Sequence, residues 1–550
     1  MKSGLIGSEP LSPEARRTVL AGCIGFAIDF FDIYLPVLVL APVIEYFEPK
    51  GLSPAATTTI YFFTFASTLL GRPCGAVIFG HWADRIGRRR TTMISIAGFG
   101  VFTLFISWLP GYAGIGVWSL VLLIALRFID GVFMGGEYTS NNTLALEMVP
   151  KDRRGLVGGI LQGAYPIGFF FVSVITAIML GATTKEQYYN WGWRIPFVFG
   201  AILAFLFLLY YRTVPESTLW EAAEKSGAPL REVMSGAHRR SLLQILLMML
   251  GFWFGSQAAI GVMPGVMIQQ LKVPSQVMTN GLLITSFIQF FAFVAFGLFS
   301  QIIGRRPAIV ISGAIVLIFG CGLFSAAVAH GLGGGNPILT TFIACLFYLL
   351  VVSPWGIVTT YLCERFPTNV RASGYGIGYS VAVVVPAFAG LYMLGLARVM
   401  PYVYTPVVLV GIAGILIIIG ALMGPETRDV ELHLPDLGVN ARTLAPGRIA
   451  VGTPVSGRGR KRRTGNDRME SKAGLSAAAR QSDRGAGDDR AGAARRILAL
   501  QPHDRARRAR FARRAERAHP HDGRHDRPLR RDAGPGQARH HRIGAYRDEL

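Results

Sequence analysis

The chain has 550 residues, of which 51% are hydrophobic and 16% charged, with a mean hydropathy of +0.41. Soluble domains carry about a quarter charged residues, so the string of soluble domains that length alone would suggest is excluded and a bilayer protein is expected. Residues 441–550 hold 28 Lys and Arg against 12 Asp and Glu, which leaves +6 of the formal +22 for the first 440 and divides an apolar body from a basic tail.

A helix needs roughly 20 apolar residues to cross about 30 Å of hydrocarbon. The body offers twelve such runs, at 18–44, 56–82, 91–109, 116–146, 155–181, 193–213, 240–268, 279–301, 307–329, 337–363, 372–398 and 402–424. An all-α membrane protein with twelve transmembrane helices is therefore predicted. The first run is too long for a cleaved signal, holds Asp29 and Asp32, and lacks an Ala-x-Ala site. Lys and Arg concentrate in the loops after even-numbered spans, which places both termini and the loop between spans six and seven in the cytoplasm. The five cysteines lie in apolar runs without paired spacing and read as packing residues.

An ionised side chain in hydrocarbon is expensive, so each intramembrane charge needs a partner, a wet cavity or a proton. In chain order these charges are Asp29, Asp32, Arg72, Arg127, Asp130 and Glu137. Asp29 and Asp32 stand three apart and share a helix face. Two close carboxylates cannot both ionise cheaply, so one of them is the candidate proton carrier, with the choice between them open. Arg127 can hold a substrate carboxylate through its planar fork or pair locally with Asp130. Gln162, Tyr165, Trp253, Gln257, Gln289 and Trp355 are candidate substrate contacts.

The chain repeats itself at one offset. Gly80-x3-Asp84-Arg85-x-Gly87-Arg88-Arg89 recurs weakly as Gly297-x6-Gly304-Arg305-Arg306, and Glu147-x2-Pro150-x3-Arg154 recurs as Glu364-x2-Pro367-x3-Arg371, in both cases 217 residues later. Pro215-Glu216-Ser217 and Pro425-Glu426-Thr427 close the sixth and twelfth spans. Two six-helix halves in the same orientation follow, with a site expected at their interface. The boundaries read as 1–213 for the first half, 214–239 for a cytoplasmic central loop, 240–424 for the second half and 425–550 for a disordered basic tail. Arg85, Arg88 and Arg89 are expected to face anionic lipid heads or the acidic Glu147 and Glu364, and with Gly80, Asp84, Gly87, Arg154, Arg305 and Arg371 they read as a cytoplasmic gate whose pairs break in one state, or as a plain positive-inside anchor. The second copy has Gln301 at the position of Asp84, so the gate is expected to depend mainly on the first half.

The loop at 80–89 resembles the signature of the major facilitator superfamily, and the likeness spans roughly residues 15–430. Arg72-Pro73-x-Gly75, Arg127-x2-Asp130-Gly131 running to Gly135-Gly136-Glu137, Gly192-Trp193-Arg194-Ile195-Pro196, and Glu364-Arg-Phe-Pro-Thr-x-Val-Arg371 resemble its metabolite:proton symporter family. Gln162-x2-Tyr165-Pro166 suggests the sialate and lactate symporters as the nearest rival. The resemblance implies a major facilitator fold, proton coupling through Arg127, and Glu137 as a second protonatable site or a partner for Arg72. It also implies uptake of a small organic acid or zwitterion with protons, by a monomer in a bacterial inner membrane.

No Gly-Lys dipeptide occurs, so a P-loop is absent; no nucleophile elbow or metal-spaced His pair occurs in the body. Neither enzyme nor cofactor is expected. A nutrient sensor and an exchanger without proton coupling remain the alternatives. The tail, rich in Arg, Ala, Gly and Pro, reads as anionic-surface attachment or, preferably, as out-of-frame translation of GC-rich DNA; no nucleic-acid partner is expected.

Overall fold

The computed structural model describes residues 10–51 and 54–432. Twelve long helices carry the body: α1 Pro13–Leu40, α2 Pro54–Ile86, α3 Arg88–Ser107, α4 Trp118–Glu147, α5 Lys151–Ala182, α6 Arg194–Tyr211, α7 Arg239–Gln270, α8 Ser275–Ile303, α9 Arg305–Leu332, α10 Pro337–Glu364, α11 Thr368–Leu396 and α12 Tyr402–Leu422. Among the described residues no strand is present. At 1.5 Å per residue these rods reach across a bilayer. Their outer faces are apolar, with Phe287 and Phe291 of α8, Phe170 and Phe171 of α5 and Phe205 of α6 exposed, while Asp29, Arg127 and Glu137 are buried. This inversion of the soluble pattern is the arrangement a lipid solvent imposes.

Helix starts follow ordinary capping chemistry. The Ser12 side chain accepts from the Ala15 N–H ahead of Pro13, and Asn336 accepts from the Ile338 N–H ahead of Pro337. Prolines also break helices where the centre of the molecule needs it. Helix α10 is interrupted at Ser353–Pro354, and α11 loses regular pairing from Val381 to Phe388 around Pro386.

The halves are α1–α6 and α7–α12. Small residues set the closest crossings. A Cβ on Gly75 of α2 would lie 1.8 Å from the Val132 carbonyl oxygen of α4, and Gly131 and Gly135 return the approach to α2. Between halves, Gly155 and Gly159 of α5 meet Gly297 of α8 in the same way. The linking segment carries two short helices, Thr218–Ala222 and Pro229–Ser235.

Residues 425–432, assigned to the tail on sequence grounds, pack on the body instead. Thr427 donates to Glu364 (2.7 Å), Arg154 donates to the Val430 carbonyl (2.7 Å), and Leu432 is buried. The rest of the expected tail, 433–550, lies outside the described residues.

Candidate functional site

A cavity of about 680 Å3, part of it open to solvent, lies between the halves. The first half contributes Phe26, Phe30 and Tyr34 of α1, Arg72 of α2, and Gln162 and Tyr165 of α5; the second contributes Trp253 and Gln257 of α7, Trp355 of α10 and Tyr379 of α11. Five of the six expected contacts thus line it. The exception is Gln289, which is fully buried and donates to Ser353 (3.2 Å) away from the cavity wall. Helix rotation explains the miss, because a polar residue on a long span reads identically whichever way it faces.

Arg72 sits in the wall with its guanidinium 4.6 Å from the Tyr138 ring centroid and 6.0 Å from that of Phe30. Its Nε and Nη2, the side-on edge that matches a carboxylate, find no hydrogen-bond acceptor among the described residues. The ion pair with Glu137 that the family likeness implied is not formed. A nearly buried guanidinium needs a counter-charge; Asp29 and Glu137 act on Arg72 electrostatically, although no ion pair to either is formed, and Arg72 also borders the cavity.

Arg127 is in the opposite condition. It donates to Thr68 Oγ1 (3.0 Å), to Asp32 Oδ1 (3.3 Å) and to the Asp32 carbonyl (3.0 Å), and its Nη1 lies 3.1 Å from Asp130. It is fully buried and outside the cavity lining, so its fork is already satisfied by α1, α2 and α4.

Asp29 and Asp32, one turn apart, therefore belong to different clusters. Asp29 is fully buried, its carboxyl lies against that of Glu137, and neither of its oxygens has a hydrogen-bond donor among the described residues. Glu137 Oε1 accepts from Asn141 Nδ2 (2.6 Å), while Asn141 also donates to the Ala21 carbonyl (3.3 Å) and accepts from Tyr211 (3.1 Å). Those contacts fix the amide, so Oε1 is an acceptor and Oε2, unpartnered, is left for Asp29. Gly25 makes the room, since a Cβ there would fall 2.0 Å from Glu137 Oε1.

At the arginine-rich end the repeat becomes geometry. Glu147 accepts from Arg88 of its own half (3.2 Å) and from Arg371 of the other (2.6 Å). Its counterpart Glu364 accepts from Arg305 (3.2 Å) and lies 4.0 Å from Arg154 of the other half. Asp84 pairs with Arg88 (3.0 Å) and accepts the Ala372 (3.1 Å) and Ser373 (2.9 Å) N–H groups at the start of the helical part of α11. Gln301 keeps half of that role by accepting the Gly155 N–H (3.0 Å). Arg85 and Arg89 do not join the acidic partners; Arg85 reaches the Gly227 carbonyl and Arg89 the Arg212 carbonyl (2.7 Å).

Sequence reasoning noted Glu216 and Glu426 as a repeat without giving them work. Glu216 accepts from the Arg88 (3.1 Å) and Arg89 (3.1 Å) N–H groups that open α3, and Glu426 from Arg305 (2.8 Å) and Arg306 (3.0 Å) that open α9. Each follows a glycine at positive φ, +109° at Gly87 and +103° at Gly304, which lets the chain turn into the helix. Burial raises the Glu216 carboxyl above its ordinary value, against those N–H bonds. Also missed were Tyr379 and a hydroxyl chain across the halves, Tyr34 to Tyr165 (3.3 Å) to Tyr348 (2.9 Å). Among the described residues no cluster of His, Cys, Asp and Glu is arranged for a metal ion.

The model of the Major Facilitator Superfamily matches residues 22–390. The chain is 32% identical over 433 residues to the inner membrane metabolite transport protein YhjE of Escherichia coli, covering 76% of this chain and 96% of that protein. It is 30% identical over 396 residues to the shikimate transporter of the same organism, covering 70% and 89%. Among solved structures, the proton:xylose symporter XylE superposes with a TM-score of 0.59 at 21% identity, over 75% of this chain and 96% of that one.

Proposed function

The chain belongs to the major facilitator superfamily, and from that premise we propose that it is a symporter that carries a small organic acid together with a proton. It is an integral membrane transporter and not an enzyme; its relatives are named as metabolite transporters. The proposed setting is a bacterial inner membrane, with the termini and the arginine-rich end in the cytoplasm and the protein acting as a monomer. Halves at 1–213 and 240–424 would rock about the cavity, joined by 214–239.

The observation that carries the reading is Arg72, a buried guanidinium bordering the interlobe cavity whose carboxylate-matching edge has no hydrogen-bond acceptor among the described residues. The organic anion would supply the acceptors that this edge lacks. Asp29 and Glu137 are the proposed proton site, because two buried carboxyls in contact are best satisfied when they share one proton. Arg72 of α2 lies near the rings of Phe30 on α1 and Tyr138 on α4, the residues that follow Asp29 and Glu137 in sequence, so loading one site would change the field at the other. Coupling requires that proton and substrate each bias the same equilibrium between states.

The Asp84, Glu147 and Glu364 contacts are the proposed cytoplasmic gate, closed in this conformation. Opening would break the Glu147–Arg371 pair and the Asp84 bonds to α11, which join the halves, and spare Arg88–Glu147, which does not. Substrate would enter from the opposite side and leave after the gate parts. The test is uptake into proteoliposomes under an imposed pH gradient: accumulation that a protonophore abolishes supports symport, and uptake indifferent to it leaves an exchanger.

A further inference from the structure

Resting on the reading of Arg72 as the carboxylate anchor, we infer that the acid carries one carboxylate on an aromatic or similarly flat apolar body. Two features of the cavity lead there. The first is its charge count. Among the described side chains that line it, Arg72 alone is cationic and none is Asp or Glu. A second carboxylate would be taken out of water with no counter-charge, and an ammonium group would lie near Arg72 with no anion to hold it. Dicarboxylates and zwitterions are therefore disfavoured by the same wall that welcomes a single anion.

The second feature is the aromatic wall that the second half supplies. Trp253 and Trp355 meet edge to face at 4.8 Å between centroids, and Tyr379 stands 5.8 Å from the first and 5.6 Å from the second. Rings at these spacings pack on one another, so no cation-sized gap is left between them and the group presents a surface, not a cage. Trp253 Nε1 is fixed by the Tyr379 carbonyl (2.8 Å), which holds the surface rigid. Phe26, Phe30 and Phe293 continue the apolar lining. A flat ring offers such a surface the most contact for the least conformational entropy lost.

The experiment is a titration of the full-length, detergent-purified protein with benzoate, acetate, succinate, glycine betaine and benzamide, read by calorimetry and thermal shift. Benzoate is expected to bind at least about tenfold more tightly than acetate or succinate, with betaine and benzamide weaker still. Trp355→Leu should lower benzoate affinity and leave acetate unchanged, and the ligand-free melting temperature reports whether that variant folds. Succinate, betaine or acetate binding as tightly as benzoate would overturn this inference and leave the carboxylate reading in place. Benzamide matching benzoate, or no carboxylate binding at all, would sink the Arg72 reading itself.

Discussion

Replacing Arg72 separates a binding role from a structural one, because its Nε and Nη2 make no hydrogen bond to a described residue. A hydrogen bond to a charged group contributes about 1.5–3 kcal/mol. Arg72→Lys keeps the charge and loses the two-pronged contact, so acid affinity should fall by about one such bond, roughly 10- to 150-fold. Arg72→Gln removes both charge and fork and should fall further. The ligand-free melting temperature should change little in either variant, since Nε and Nη2 make no hydrogen bond to a described residue that could be lost. Calorimetry with benzoate and the melting temperature of the same preparation measure both. Arg72→Gln binding within twofold of the parent, or a ligand-free melting temperature that drops sharply, would refute the reasoning.

Arg127→Lys should behave in the opposite way: its fork is spent on Thr68, Asp32 and Asp130, so stability falls by about 1.5–3 kcal/mol for each charged hydrogen bond the ammonium does not remake, while the affinity of folded protein for acid holds. Asp29→Asn should keep counterflow exchange and lose gradient-driven accumulation, whereas Asp32→Asn should chiefly lower the melting temperature by stripping Arg127 of a partner; full accumulation in Asp29→Asn would defeat the proton-site assignment. Glu147→Gln should raise labelling of a cysteine introduced in the cavity by Gln257→Cys, from the arginine-rich side, more than Glu364→Gln does, because the cross-half contact of Glu147 is 2.6 Å and that of Glu364 is 4.0 Å; equal effects would remove the proposed asymmetry of the gate. Glu216→Ala should lower stability by about 0.5–2 kcal/mol through the lost cap of α3, read as a lower melting temperature with the acid affinity of the folded protein unchanged.

The sequence was most legible where chemistry repeats. The 217-residue offset announced that Arg88 and Glu147 would reappear as Arg305 and Glu364, and the structure places both pairs at 3.2 Å. Hydropathy marked every span because lipid demands uninterrupted apolar runs, with edges off by a few residues where α2 and α8 extend into polar turns. Side-chain direction was not legible. Asp29 and Asp32 share a helix turn, yet a three-residue step carries one to Glu137 and the other to Arg127, and only the packing of α1 on α4 decides which. Arg72 and Arg127 look alike in sequence, and their difference lies in the acceptors that other helices bring. Residues 425–432 were read as tail because hydropathy falls there, although Glu426 and Thr427 bond back to the body.

The most direct test of proton-coupled carboxylate transport is uptake of radiolabelled 4-hydroxybenzoate into proteoliposomes with an inward proton gradient, corrected for protein-free liposomes. The account predicts accumulation above the outside concentration, abolished by a protonophore and lost in Arg72→Gln. Protein-dependent uptake that stops at equilibrium whatever the gradient, or that survives Arg72→Gln, would contradict it.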